Sequence, residues 1–166
     1  MRILVAGASG VVGRATLPHL TRHDVAGLTR SPEKLGSLRD LGAEPILCDV
    51  YDHERLLRMT QRFRPRIVVN FLTDLSAGSV QANDRIRREG GANLLNAARA
   101  TAARRLVVER VAVILRFGRF WGPGTDYRTP PQPPTIHIDT AGAKAAPLLM
   151  HAPPGTYLAT ETNDPG

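Results

Sequence analysis

The chain opens with Met1-Arg2-Ile3-Leu4-Val5-Ala6-Gly7-Ala8-Ser9-Gly10-Val11-Val12-Gly13, in which a short apolar run leads into three glycines separated by two residues each. The run Ile3–Ala6 is too short for a signal-peptide core and is typical of a first β-strand. Val11–Arg22 has the pattern of an amphipathic helix. The opening stretch therefore predicts a strand, a glycine-rich loop and a helix, in that order.

Each glycine of this loop has a separate task in such a context. Gly7 permits a tight turn, Gly10 lets the backbone approach a pyrophosphate, and Gly13 lets the helix pack closely on the strand. The N–H groups and the dipole at a helix start favour phosphate groups. The predicted cofactor-binding residues of this loop are Gly7, Ser9, Gly10, Val11, Val12 and Gly13. The alternative is that these glycines only turn the chain.

The residues that follow the next two predicted strands bear on which dinucleotide would bind. Arg30 stands where an acidic residue would bond the ribose hydroxyls of NAD, and its guanidinium can pair with a 2′-phosphate. The sequence therefore favours NADP over NAD, the alternative for Arg30 being a solvent-facing charge. Asp49 and Val50 follow the third strand, near the expected position of an adenine amino group. Asp49 fits equally well as a helix cap.

Short apolar runs alternate with amphipathic stretches along the first hundred residues. The predicted strands are Ile3–Ala6, Val25–Thr29, Glu44–Cys48 and Ile67–Phe71. The predicted helices are Val11–Arg22, a helix that begins at Pro32 with Ser31 as its cap and ends at Gly42, Asp52–Arg62 capped by Asp52 or Asp49, and Ser79–Ala102. This alternation predicts the α/β class, as a Rossmann-like doubly wound, mostly parallel sheet.

The pattern changes in the last third of the chain. The predicted elements there are a β-branched run at Leu106–Phe117, a proline-rich loop at Gly118–Pro134, a strand at Thr135–Ile138, a helix at Thr140–Met150 interrupted by Pro147, a turn at Pro153-Pro154-Gly155, a strand at Thr156–Ala159 and a loose tail at Glu161–Gly166. We expect a dinucleotide-binding domain at residues 1–117 and a remnant of a substrate-side region at 118–166.

Composition restricts the class of protein. The 166 residues carry a net charge of +7, from 20 Arg and 2 Lys against 15 Asp and Glu. The arginines are scattered and aromatic residues are few, so specific nucleic-acid binding is not expected. No apolar run is long enough for a membrane helix, and the lone Cys48 fits a cytoplasmic protein as a small buried residue. His137 and Asp139 offer too few ligands for a metal site.

Several stretches together resemble the NAD(P)-dependent epimerase/dehydratase proteins of the extended and atypical short-chain dehydrogenase/reductases. These stretches are Met1–Gly10, Leu28–Leu35, Val68–Leu75, Gly91–Arg99, Leu115–Thr125 and Ile136–Asp139. The resemblance implies a nicotinamide dinucleotide as cofactor and a small-molecule substrate. It also implies that the end of the fourth strand lies along the cofactor. The corresponding residues are Phe71, Leu72 and Thr73.

One departure from the family concerns catalysis. The family has a Tyr-x-x-x-Lys pair on a helix after the fifth strand, where Tyr exchanges a proton with substrate oxygen and Lys lowers its pKa. The residues four positions after Tyr51, Tyr127 and Tyr157 are Arg55, Pro131 and Glu161. Since no tyrosine here has this partner, the usual catalysis is not expected.

The region that carries the pair in the family is also short here. Leu106–Glu109 resembles the fifth strand and Arg110–Leu115 the sixth, yet parallel neighbours need a connection of a dozen or more residues. We therefore expect a sheet that is incomplete after the fifth strand. The two runs either fuse into one long strand or one half loses its usual place.

These observations leave three hypotheses for function. The chain is an NADP-binding relative of oxidoreductases and sugar-nucleotide epimerases, a non-catalytic dinucleotide-responsive regulator or partner-binding module, or an inactive shortened product. A homo-oligomer is possible in the last case, because an exposed apolar strand edge favours pairing between chains.

Overall fold

The computed structural model describes residues 1–74, 80–101, 103, 105–107, 113–152 and 155–161. A five-stranded sheet with the order β3-β2-β1-β4-β5 forms its centre, and every adjacent pair is parallel. Its strands are β1 (Arg2–Ala6), β2 (Asp24–Thr29), β3 (Glu44–Leu47), β4 (Ile67–Asn70) and β5 (Arg105–Val107). The α/β class and the mostly parallel sheet are confirmed.

Helices cover both faces of this sheet. They are α1 (Val11–Thr16), α2 (Leu35–Asp40), α3 (His53–Phe63), α4 (Val80–Arg85), α5 (Gly91–Ala100) and α6 (Ile138–His151). On one face, Ile3 and Val5 of β1 pack with Leu38 of α2 and Leu149 of α6. On the other face, Leu4 packs with side chains of α3 and α5. The alternation of side chains along a strand therefore produces two buried layers.

Two predicted helices change form at a proline. The predicted helix Val11–Arg22 is α-helical only to Thr16 and continues as a 3₁₀ helix at Leu17–Leu20. Pro18 has no N–H to donate to the fourth residue before it, so the α-helical pattern cannot continue there. The helix predicted from Pro32 likewise begins with a 3₁₀ turn at Pro32–Lys34, and the Ser31 side chain makes no capping hydrogen bond.

The helix predicted at Ser79–Ala102 is divided in three. Between α4 and α5, the segment Ile86–Gly90 is a π-helix, and Ser79 and Ala102 lie outside the described residues. A π-helical turn admits one extra residue into a helix and rotates the helical residues after it. Gly90 is thereby placed against Val50, where a Cβ would lie 2.9 Å from Val50 Cγ2.

The predicted run Leu106–Phe117 is distributed over two sheets. β5 adds to the main sheet, whereas β6 (Val113–Phe117) pairs in parallel with β9 (Gly155–Ala159). Residues 108–112 lie outside the described part. A parallel neighbour of β5 would need a crossover of a dozen or more residues, and only five residues separate the two strands. The second half has therefore lost its expected place beside β5.

The proline-rich segment contains a strand that the sequence did not predict. β7 (Arg119–Trp121) pairs in parallel with β8 (Thr135–His137). The following helix begins at Ile138, two residues before its prediction, and runs to His151 with Pro147 inside it. His137 consequently lies at the end of β8, whereas Asp139 lies in the first turn of α6. Asp139 N–H donates to His137 Nδ1 across 3.3 Å.

Helix α6 is packed tightly on α1. A Cβ at Gly142 would overlap the backbone oxygen of Ala15, and Leu149 is fully buried in the layer that also holds Ile3 and Val5. The segment after residue 117 thus completes one face of the main core. The domain boundary at 117 stays a prediction.

Cys48 directly follows β3 and is buried, with 3% of its surface exposed. Its Sγ–H donates to the backbone oxygen of Asp49 across 3.4 Å. Burial raises the pKa of the Cys48 thiol to about 11, although the nearby charge of Arg55 opposes this shift. The thiol therefore stays protonated at neutral pH, as a small buried side chain.

Among the described residues, none of the helices has the length and apolar character needed to cross a membrane.

The contact of Gly142 with α1 predicts a loss of stability for Gly142→Ala. Overpacking against backbone costs about 1–3 kcal/mol, and each kcal/mol lowers Tm by roughly 2–4 °C for a chain of this size. Gly36→Ala in α2 is the matched control, because a Cβ there meets nothing within 4 Å. The control is expected to be neutral or stabilising, since alanine favours helix. Equal melting temperatures for the two variants would contradict the tight α1–α6 contact.

Burial of Cys48 predicts slow alkylation of the native protein. With a pKa of about 11, roughly one thiol in a thousand is thiolate at pH 8. Iodoacetamide labelling followed by mass spectrometry is expected to be slow at pH 8 and to become fast in urea. The free energy of unfolding is also expected to fall as pH rises from about 9 to about 11, because the Cys48 thiol ionises in this range only when the chain is unfolded. Rapid labelling of the folded chain would show that Cys48 is accessible.

Candidate functional site

The candidate site lies at the carboxyl edge of the main sheet. The chain runs outward from β1 through β2 to β3, then returns to the other side of β1 as β4. The chain order therefore reverses between β1 and β4, at the carboxyl edge where the loops after these two strands begin. Crevices at such reversal points are the usual ligand sites of open parallel sheets.

The loop after β1 makes a turn that only glycine fits. Gly7 has a φ of +76°, and a Cβ there would lie 2.5 Å from the backbone oxygen of Phe71. Gly10 N–H donates to Gly7 oxygen across 3.0 Å and closes the turn. On the far side, a Cβ at Gly13 would overlap the backbone oxygens of Gly7 and Ala8. The loop is thus held between β4 and the first turn of α1.

Gly10 differs from the other two glycines because its outer side is exposed. A Cβ there would meet only Gly7 oxygen within 4 Å, at 3.2 Å. Gly10 is the N-cap of α1 and contributes no side-chain cap. The N–H groups of Val11, Val12 and Gly13 form the first turn, where helical N–H groups have no partner within the helix. The backbone therefore presents donors next to an open position.

The loop after β2 is joined to the glycine loop by hydroxyl groups. Ser9 Oγ and Thr29 Oγ1 are 3.2 Å apart, and Ser31 N–H donates to Thr29 Oγ1 across 3.2 Å. These bonds fix the backbone on both sides of Arg30. Arg30 Nη2 in turn forms an ion pair with Asp74 Oδ2 at 3.3 Å.

The predicted residues Phe71, Leu72 and Thr73 directly follow β4, at the same edge of the sheet as the glycine loop. Phe71 N–H donates to Ala6 oxygen across 2.9 Å, and Leu72 N–H donates to Asn70 Oδ1 across 3.0 Å. Thr73 is exposed, and Asp74 N–H donates to Asn83 Oδ1 of α4 across 3.2 Å. Loops after β1, β2 and β4 therefore meet at one edge of the sheet.

Asp49 and Val50 lie at the end of β3, two strands away from the glycine loop. Asp49 Oδ1 accepts the Tyr51 N–H across 3.0 Å, while the cap of α3 is Asp52, which accepts from Arg55 N–H across 3.0 Å. The alternative role of Asp49 as helix cap is therefore wrong. Val50 is buried against Gly90, and its oxygen accepts from Asn93 Nδ2 across 3.0 Å.

Two further residues, which the sequence did not identify as site residues, lie close to the loop after β3. The Arg85 guanidinium lies 4.7 Å from the centre of the Tyr51 ring, and Arg85 Nε donates to Glu89 Oε2 across 2.9 Å. This hydrogen bond raises the pKa of Arg85 above its ordinary value. Only the four-residue spacing of Arg85 and Glu89 is a sequence signal. The contact of Arg85 with Tyr51 and the contact of Gly90 with Val50 each join residues that are far apart in the chain.

Metal-binding side chains are not clustered in the part of the chain that the structure describes. No three His, Cys, Asp or Glu side chains there are grouped so that they could hold an ion. His137 instead packs edge-on against Trp121, with ring centres 4.5 Å apart.

Comparison with known proteins identifies the family. The model of the NAD dependent epimerase/dehydratase family matches residues 3–110. A 3-diazoavenalumate denitrifying reductase from a Streptomyces species is 32% identical over 168 residues, which cover 96% of this chain and 48% of the reductase. This chain thus spans about half the length of that relative.

Solved structures agree on the fold. UDP-glucose 4-epimerase from Thermus thermophilus, solved as a complex with NAD, matches with a TM-score of 0.75 at 19% identity, covering 96% of this chain and 78% of the epimerase. The UDP-Glc/GlcNAc 4-epimerase from Campylobacter jejuni matches with a TM-score of 0.76 at 13% identity, with the same coverage. The family match spans well over half of the sequence, and the chain therefore belongs to the NAD dependent epimerase/dehydratase family.

Proposed function

We propose that this chain binds a nicotinamide dinucleotide across the carboxyl edge of its main sheet, with the pyrophosphate on the loop from Gly7 to Gly13. The observation that carries the proposal is the contrast between its glycines: Gly7 and Gly13 are closed in by backbone, whereas Gly10 is open. An open glycine beside free helical N–H groups suits a diphosphate, because the backbone can approach its oxygens closely. When bound, the dinucleotide supplies hydride transfer.

The adenosine half would lie toward β2 and β3. There Arg30 would meet a 2′-phosphate and Asp49 the adenine amino group, while Phe71, Leu72 and Thr73 would follow the other half of the cofactor. An exposed guanidinium in this position supports NADP over NAD. The Thermus thermophilus relative was solved with NAD, so the preference for NADP rests on Arg30 of this chain alone.

The proposed activity excludes the proton transfer that a Tyr-x-x-x-Lys pair performs. Within these 166 residues, no tyrosine has a lysine four positions later. Epimerases and dehydratases move protons as well as hydride, and such steps need a positioned acid or base. We therefore propose a dinucleotide-binding protein without that catalysis. A regulator or partner-binding module is the alternative.

A thermal-shift titration tests dinucleotide binding. A ligand at a hundred times its Kd stabilises the native state by about 2.7 kcal/mol, which raises Tm by roughly 5–10 °C here. NADP⁺ is expected to produce this shift at a lower concentration than NAD⁺. Gly10→Ala is expected to fold but to lose most of the shift, because its Cβ occupies the open position. Gly36→Ala is the matched control and keeps the shift. No shift with either dinucleotide would refute the proposal.

A second candidate function comes from the 32% identity to the denitrifying reductase. Replacing a diazonium group by hydrogen needs hydride alone. A bound dinucleotide would supply the hydride and be oxidised, a carbon–hydrogen bond would form at the carbon that carried the nitrogen, and N₂ would leave with the pair of the broken carbon–nitrogen bond. No oxygen is protonated in this step. We therefore infer that a diazonium ion is the substrate class of this second candidate, since its reduction does not require the Tyr–Lys pair.

Turnover assays distinguish a diazonium reductase from a non-catalytic dinucleotide-binding module. With NADPH and an aryl diazonium salt, a reductase is expected to consume NADPH and to release one N₂ and one arene per NADPH, above the rate of heat-denatured protein. UDP-glucose is expected to give no turnover. Gly10→Ala should lower the diazonium rate together with NADPH binding. Binding without any turnover would exclude the reductase and favour the non-catalytic module.

A further inference from the structure

The ion pair between Arg30 and Asp74 joins the two loops that flank the glycine loop. Arg30 directly follows β2, Asp74 stands four residues after β4, and β1 lies between these strands. Strands two places apart in a sheet are about 9–10 Å apart, a distance that an arginine side chain can span. The pair thus lies at the same edge as the proposed cofactor, beside the loop from Gly7 to Gly13.

The two partners are not equally free to move. The Asp74 side chain is 14% exposed, and its backbone N–H is held by Asn83 Oδ1 across 3.2 Å. The Arg30 side chain is 52% exposed, and the ion pair uses one of its terminal nitrogens at 3.3 Å. A guanidinium has five N–H donors, so a phosphate can engage it from another side or replace the carboxylate. Asp74 is the fixed partner and Arg30 is the one that can turn.

We propose that Asp74 sets the selectivity of this chain between NADP and NAD by competing with the 2′-phosphate for Arg30. This inference rests on the proposed dinucleotide site. A carboxylate 3.3 Å from Arg30 Nη2 offsets the positive charge that a 2′-phosphate would meet and occupies a donor that the phosphate would use. NAD has an uncharged hydroxyl at this position. Its affinity therefore depends little on whether Asp74 is charged.

The opposite effect is also physically possible and makes the proposal testable. A carboxylate that only held Arg30 in a phosphate-binding orientation would strengthen NADP binding, and its removal would weaken it. The half-exposed Arg30 and the long monodentate contact favour competition, because exposed pairs of this kind hold a side chain weakly. The sign of the change in NADP⁺ affinity on removal of the Asp74 charge decides between the two.

The test measures NADP⁺ and NAD⁺ affinities by isothermal titration calorimetry on the whole chain. Asp74→Asn is expected to tighten NADP⁺ binding about fivefold at low salt, with NAD⁺ binding unchanged. The gain should shrink as ionic strength rises, because salt screens the attraction of Arg30 for both the carboxylate and the phosphate. Asp40→Asn is the matched control. Asp40 is exposed and ends α2, which runs back to the amino edge of the sheet, so the same charge change there should leave both affinities unchanged.

Asp74→Asn is also tested in the Arg30→Ala variant, which distinguishes competition for Arg30 from a general effect of the Asp74 charge on NADP⁺ binding. Arg30→Ala is expected to weaken NADP⁺ binding about tenfold with little change for NAD⁺, and adding Asp74→Asn to it should then have little effect. An unchanged or weakened NADP⁺ affinity in Asp74→Asn would overturn the proposal, as would an equal gain in the Arg30→Ala background. NAD⁺ binding reports that each variant is folded. Wild-type protein that binds neither dinucleotide would instead refute the dinucleotide site itself.

Discussion

The close approach of Gly7 to the backbone of Phe71 is the constraint on which the site depends. The chain must leave β1 with a positive φ at a point where even a methyl group would collide with the backbone of Phe71, directly after β4. Glycine alone meets both conditions, since any other residue would be strained by the dihedral and by the overlap. The hydrogen bond from Gly10 N–H to Gly7 oxygen closes the turn, and α1 begins at the next residue. The open position at Gly10 results from this turn.

The second half of the chain stabilises this arrangement from outside. Glu161 N–H donates to Thr135 oxygen across 2.8 Å, and Trp121 Nε1 donates to Glu161 Oε2 across 3.2 Å. Desolvation by its neighbours would raise the pKa of Glu161, but hydrogen bonds from Thr140, His137 and Trp121 hold it below its ordinary value. Strands β7, β8 and β9 are thereby joined beside α6. The helix then presents Gly142 to α1 and covers the face that holds Ile3 and Val5.

Features governed by local sequence were predictable, and those governed by distant partners were not. Strands β1 to β4, the glycine loop and the cap at Asp52 follow from apolar spacing and short-range hydrogen bonds, whereas β7 inside the proline-rich segment does not. The partner of β6 does not, because a β-branched run is compatible with many neighbours and only the short link to β5 excludes one of them. Pro18 was a visible signal for the end of α1. The π-helix at Ile86–Gly90 had none beyond its glycine.

The Arg30–Asp74 ion pair differs from the arginine–glutamate pairs of the helices because it joins two separate loops. Arg58–Glu54 and Arg85–Glu89 are four residues apart on one helix, where such pairs support the helix itself. Arg30 and Asp74 are 44 residues apart and belong to two loops.

An exposed ion pair contributes only about 0–1 kcal/mol to folding, so the loss of the Arg30–Asp74 pair leaves the sheet intact. The Arg30–Asp74 pair therefore acts chiefly on the binding of a charged ligand group at the same edge of the sheet. Asp74, whose backbone N–H is held by Asn83 Oδ1, places a carboxylate beside the half-exposed guanidinium and makes that edge less cationic than Arg30 alone implies. The sequence fragment Thr29-Arg30-Ser31 is thus an incomplete guide to cofactor choice, because the loop after β4 contributes the opposing charge.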